Sequence, residues 1–80
     1  MNKKKNQQVV AIGNKIRSHR IETGLSQEEF AVLAGLDRSY YGGVERGERN
    51  ISVLNLIRIA SSLNREVGDL FPSINKLNNL

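Results

Sequence analysis

Apolar positions recur at helical spacing along this chain, and no segment of it reads as a strand. Val9, Ile12, Ile16 and Ile21 mark a first helix from Val9 to Thr23, with Gly24 as its stop. Ser26-Gln27-Glu28-Glu29 has the form of a capping box: the Ser26 hydroxyl accepts from the backbone of Glu29 while the Glu29 carboxylate reaches back. Phe30, Ala31, Leu33 and Ala34 follow, and Gly35 closes a second helix of about two turns. Asp37 is the next N-cap, opening a third helix that runs through Arg38, Ser39, Tyr40, Tyr41 and Val44 towards Gly47. Ser52 caps a fourth, whose Val53, Leu54, Leu56, Ile57, Ile59, Ala60 and Leu63 form the most apolar face of the chain, the expected floor of the core. Val67 to Phe71 makes a last short turn of helix, ended by Pro72, and the Asn-rich tail from Ser73 to Leu80 is expected to be weakly helical or frayed. The expected class is all-α, with five helices.

Composition narrows the function. Eighty residues suit one domain, expected from residue 8 to residue 80 behind a disordered basic tail at 1–7. With no Cys and a single His, His19, a reducing cytoplasmic setting fits and a structural zinc site is excluded. His19 reads as a surface residue rather than a ligand or base. No apolar run approaches the roughly 18 residues a membrane span needs, so no membrane partner is expected. The formal net charge is +4, and Lys3, Lys4, Lys5, Lys15, Arg17 and Arg20 all precede the first acid, Glu22. A basic end attracts a polyanion, although a terminal Lys run is also the usual composition of a solvated tail. No nucleophile–base–acid set, metal cluster or Gly-rich phosphate loop is present, so neither an enzyme, a cofactor nor a small-molecule ligand is expected.

The segment Arg20-Ile21-Glu22-Thr23-Gly24-Leu25-Ser26-Gln27-Glu28-Glu29-Phe30-Ala31, continued by Ala34-Gly35-Leu36 and Val44-Glu45-Arg46-Gly47, resembles the Cro and phage-repressor (XRE-type) helix-turn-helix family. With the fourth helix and Leu70-Phe71 the resemblance spans about residues 12 to 71. Leu36-Asp37-Arg38-Ser39-Tyr40-Tyr41 and Glu45-Arg46-Gly47-Glu48-Arg49-Asn50 look like the controller proteins of restriction-modification systems. The resemblance implies a five-helix, lambda-repressor-like DNA-binding domain that acts as a homodimer on a palindromic operator. It also implies control of the protein's own operon and of a restriction-modification system, with RNA polymerase as a further candidate partner.

The chemistry agrees with that expectation. A helix reads B-DNA from the major groove when its exposed face carries side chains that reach base edges while the preceding helix crosses the phosphates. Arg38, in the first turn of the third helix, can donate two hydrogen bonds to guanine O6 and N7 and is the first candidate for base reading. Ser39 and Tyr40 follow at the same end, and Arg46, Arg49 and Asn50 where the chain leaves the groove; Arg17 of the first helix completes the basic set. Tyr41 precedes Val44 by three and shares its buried stripe, which leaves Tyr40 for DNA. Gly42 and Gly43 cost about 1 kcal/mol each inside a helix. Either close approach of the backbone to DNA or close packing against the second helix would compensate. In the resembling family the Gln27 position bonds a phosphate, and Arg20 and Glu45 form a partly buried structural ion pair joining the first helix to the third. Val67, Leu70, Phe71 and Ile74 are the candidate dimer interface, with closure of the monomer core as the other reading of Leu70 and Phe71. A helix-turn-helix antitoxin, or another protein-interaction module using the tail from Ser73 to Leu80, is the alternative function.

Overall fold

A computed structural model describes residues 5–80. The described chain is helical throughout: α1 (Gln7–Thr23), α2 (Gln27–Ala34), α3 (Arg38–Glu45), α4 (Val53–Leu63), a 3-10 turn (Val67–Leu70) and α5 (Ile74–Asn78). Local chemistry sets the ends. Ser26, Asp37, Ser52 and Ser73 each accept a backbone N–H from three residues on, and the Ser26–Glu29 box is closed in both directions. Gly24 and Gly35 stop α1 and α2 in the left-handed conformation, as does Asn64 for α4.

The ends of the chain depart from the expectation. Asn6 is the N-cap of α1, its Oδ1 accepting from Gln8 and Val9, so α1 starts at Gln7. Lys5 is held against the end of α3, and residues 5–7 therefore do not belong to a disordered tail; residues 1–4 lie outside the described residues. The short turn of helix expected near Val67 is a four-residue 3-10 turn, Val67–Leu70, and the tail, expected to be weakly helical or frayed, forms a fifth α-helix at Ile74–Asn78. Leu77 is buried, and Gln8 Nε2 donates to its carbonyl at 3.0 Å, which docks α5 on α1.

The core is built from Ile16 of α1, Phe30 and Ala31 of α2, Tyr41 and Val44 of α3, Leu56, Ile59, Ala60 and Leu63 of α4, and Leu70. Phe30 and Tyr41 pack ring to ring at 5.1 Å with a 46° tilt. On α1 the inward stripe continues from Ile16 to Arg20, one turn on, and Ile21 is consequently exposed. On α4 the inward set keeps i, i+3, i+4, i+7 spacing, which turns Val53, Leu54 and Ile57 out to solvent, Val53 and Leu54 each 71% exposed. Gly13 lets α1 and α3 touch: a Cβ there would stand 2.8 Å from the Glu45 carbonyl oxygen and meet that of Val44.

His19 is not a plain surface residue. Its Nε2 lies 3.0 Å from the Asp69 carbonyl and its Nδ1 faces Glu22 at 3.4 Å, pinning the 3-10 turn to α1.

Candidate nucleic-acid interface

The geometry of α2 and α3 is fixed by one buried carboxylate. Glu45 is 1% exposed in its side chain and accepts from four donors. Arg20 approaches in a fork, Nε to Oε2 at 2.7 Å and Nη2 to Oε1 at 3.1 Å; Gln27 Nε2 reaches Oε1 at 2.9 Å, and the Tyr41 hydroxyl donates to Oε2. Arg20 Nη1 also donates to the Leu25 carbonyl at 2.8 Å, so α1, the α1–α2 turn, α2 and α3 meet in one polar cluster. Burial pushes the Glu45 carboxyl up, but the hydrogen bonds from Arg20, Tyr41 and Gln27 outweigh it and hold the group below its ordinary value. The Glu45 hydrogen bond raises Arg20 against its own burial, and burial pushes the Tyr41 hydroxyl far up. All three groups therefore keep their neutral-pH charge states, and the α2–α3 angle is locked by charge-assisted bonds.

At the start of α3 the Asp37 carboxylate accepts from the Tyr40 N–H at 3.0 Å, which leaves Arg38 and Ser39 on the exposed first turn. Arg38 Nη1 lies 3.8 Å from Glu28 Oε2 of α2 with both side chains largely in water. Tyr41 is fully buried; Tyr40 is half-buried, and its hydroxyl accepts from Asn55 Nδ2 of α4 at 3.1 Å, keeping its own proton to donate. Gln27 spends one amide hydrogen on Glu45 and retains the other.

The two glycines of α3 make room for arginines. A Cβ on Gly42 would stand 2.9 Å from Arg46 Nη1 and 3.5 Å from Gln27 Oε1, and one on Gly43 would stand 2.8 Å from Arg49 Cγ. Both arginine side chains fold back over the helix where Gly leaves it bare. Packing on α2 does not account for Gly43, whose added Cβ would meet only Arg49, and a Cβ on Gly42 would meet α2 only through Gln27, at ordinary van der Waals distance.

Past α3 the chain turns at Gly47, whose φ of +74° and whose contact with Val10 exclude a side chain. Arg46 Nε donates to Glu48 Oε1 at 3.0 Å. Lys5 Nζ donates to the Arg46 carbonyl at 3.0 Å and lies 3.7 Å from Glu48 Oε2. Arg49 and Asn50 are exposed beside a mostly apolar cleft of about 200 Å³ between α1, Ile51 and Phe71.

The structure thus gathers Gln27, Arg38, Ser39, Tyr40, Gly42, Gly43, Arg46, Arg49 and Asn50 on and around α3; Arg17, exposed on α1, joins none of these contacts. The sequence did not single out Glu28 or Glu48, and it placed Lys5 in a basic tail rather than against Arg46 and Glu48. Glu48, two residues after Arg46, was the legible signal. Of the expected dimer residues, Leu70 is completely buried in the monomer core and is withdrawn from that set, Phe71 is half-buried against the core, and Val67 and Ile74 are exposed.

A helix-turn-helix family model matches residues 16–70. The control protein C.MunI of a Mycoplasma species is 44% identical over 68 residues, covering 84% of this chain and 92% of that protein. Among solved structures, the restriction-modification controller protein C.AhdI from Aeromonas hydrophila superposes with a TM-score of 0.80 at 48% identity, covering 82% of this chain and 96% of that one. The biofilm regulator SinR, solved in complex with DNA, gives a TM-score of 0.71 at 35% identity, covering 74% and 95%.

Proposed function

Because this chain belongs to the helix-turn-helix family, we propose that it is a cytoplasmic regulator of transcription that binds double-stranded DNA and controls a restriction-modification system together with its own operon. The observation that carries this reading is the exposed, capped first turn of α3, with Arg38 and Ser39 exposed at its end and α2 clamped behind it through Glu45. In this reading α3 enters the major groove, Arg38 reads a guanine, Ser39 and Tyr40 reach a base or a phosphate, and Gln27 donates its remaining amide hydrogen to the backbone. Arg17, Arg46, Arg49 and Asn50 meet flanking phosphates, and Gly42 and Gly43 act through the arginines they accommodate. RNA polymerase is the further partner when the site lies beside a promoter.

One reading helix covers half of a specific site, so the protein works as a homodimer on a palindrome with half-sites about 34 Å apart. Its interface combines Val67 and Ile74 with the outward strip Val53, Leu54 and Ile57 of α4, since an exposed apolar face on a small soluble domain calls for cover.

Selection from random duplexes, followed by footprinting, tests the proposal. A palindromic site should emerge. Arg38→Ala should cost about 1–3 kcal/mol and relax base choice at one position of each half-site, while Gln27→Ala should weaken all sequences alike. Absence of a selected site, or unchanged base preference in Arg38→Ala, would overturn it.

A further inference from the structure

Glu48 stands among the cations at the exit of α3, where a DNA-binding surface would be expected to exclude carboxylates. Its Oε1 accepts from Arg46 Nε at 3.0 Å and its Oε2 lies 3.7 Å from Lys5 Nζ, whose ammonium also caps the Arg46 carbonyl. Arg46 in turn runs back over the bare backbone at Gly42 towards Gln27, so that one carboxylate closes the end of a row of donors along α3. We propose that Glu48 tunes DNA affinity by competing with DNA phosphate for Arg46 and Lys5, so that the free protein presents a partly neutralised surface and binds any duplex more weakly than its cations alone would allow. This rests on the DNA-binding function proposed above.

The chemistry is a ligand exchange between two anions. The Arg46 hydrogen bond, ahead of the influence of Lys5, holds the Glu48 carboxyl below its ordinary value, so Glu48 is ionised throughout the neutral range and is a standing competitor. A phosphate that takes Arg46 must displace it and leave Glu48 to water. Contacts with phosphate supply essentially all of non-specific binding, so on a duplex of mixed sequence this competition is read without any base contact beside it. A site read by Arg38 has base contacts that Glu48 does not touch. Glu28 stands in a similar relation to Arg38, but at 3.8 Å and with both groups more exposed, its hold is weaker.

Glu48→Gln tests this, because it keeps the size of the side chain and removes its charge. On a short duplex of mixed sequence, affinity should rise about two- to five-fold, the range an exposed pair supports. The slope of log K against log salt should steepen by up to about 0.9, one further phosphate. In an Arg46→Ala background the gain should shrink towards that of Glu66→Gln, a same-charge control at the start of the 3-10 turn that follows α4. An unchanged or lowered affinity for Glu48→Gln would overturn the proposal, and so would a gain that survives intact in Arg46→Ala. The contact itself is read without DNA, by following the Glu48 carboxyl by NMR: it should titrate below the ordinary glutamate range and move up in Arg46→Ala, and titration in the ordinary range in the wild type also overturns the proposal. A wild type that binds no duplex while Glu48 still titrates low would instead count against the DNA-binding function.

Discussion

Replacing Arg20 by Ala should be among the most damaging single changes in this protein, with a pH signature that identifies the cause. The substitution removes both guanidinium bonds to Glu45 and the bond to the Leu25 carbonyl, leaving a carboxylate that is 1% exposed with only Gln27 and Tyr41 as donors. Removing one partner of a buried pair costs about 3–5 kcal/mol. A domain of this length has about 4–12 kcal/mol in all, so the urea midpoint followed by circular dichroism should fall by roughly 2–4 M. The sign with pH follows from the direction of the Glu45 shift. In the wild type the folded carboxyl lies below its unfolded value, so Glu45 contributes stability above the ordinary glutamate range near ~4.3, and that stability is lost as pH falls through the folded value. Without Arg20 the effect of burial is left to dominate, the folded carboxyl moves above its unfolded value, and protonation then relieves the variant. The difference between Arg20→Ala and wild type should therefore be largest at neutral pH and narrow on acidification. Arg20→Lys should fall between the two, since an ammonium cannot reproduce the fork. A loss under about 1 kcal/mol, well short of the buried-pair range, or a difference that stays flat from neutral to acid pH, would refute the account of Glu45 as a buried charge held by Arg20.

Gly13→Ala should destabilise by about 1–3 kcal/mol through overpacking, because the new methyl meets backbone carbonyls of α3 that cannot swing aside; thermal melting would show it as a drop of several degrees. Gly42→Ala should separate stability from binding: helix propensity favours it by up to about 1 kcal/mol, while the methyl displaces the mobile end of Arg46, so the melting temperature should hold or rise as DNA affinity falls. A parallel loss of both would show that Gly42 serves packing. Leu54→Lys, at a position already 71% exposed, should leave the monomer's stability within about 0.5 kcal/mol and shift sedimentation equilibrium from dimer to monomer. A dimer that survives would remove the outer strip of α4 from the interface.

The sequence by itself determined the features whose chemistry is complete within a turn or two of helix. The caps at Ser26, Asp37 and Ser52, the glycine stops after α1 and α2, and the burial of Tyr41 on the Val44 stripe all follow from interactions between residues no more than about four apart. The Arg20–Glu45 pair was legible too, though through the family resemblance, because nothing local joins residues 25 apart. Tertiary structure decided the rest. Val53, Leu54 and Ile57 are as apolar as the residues α4 buries, and only the placement of α1 and α2 selects which stripe turns inward. Leu70 went to the core rather than to an interface for the same reason. The glycines divided in a way their own neighbours do not reveal: Gly13 and Gly47 accommodate α3 and Val10 across the fold, while Gly42 and Gly43 accommodate arginines folding back from beyond the helix end. Lys5 reached Arg46 and Glu48 across 41 and 43 positions, and so changed from tail residue to part of the cluster at the end of α3. Capping is a short-range exchange of hydrogen bonds that a few residues settle among themselves, whereas burial and charge pairing depend on which distant surface arrives, and that is fixed only when all the helices pack at once.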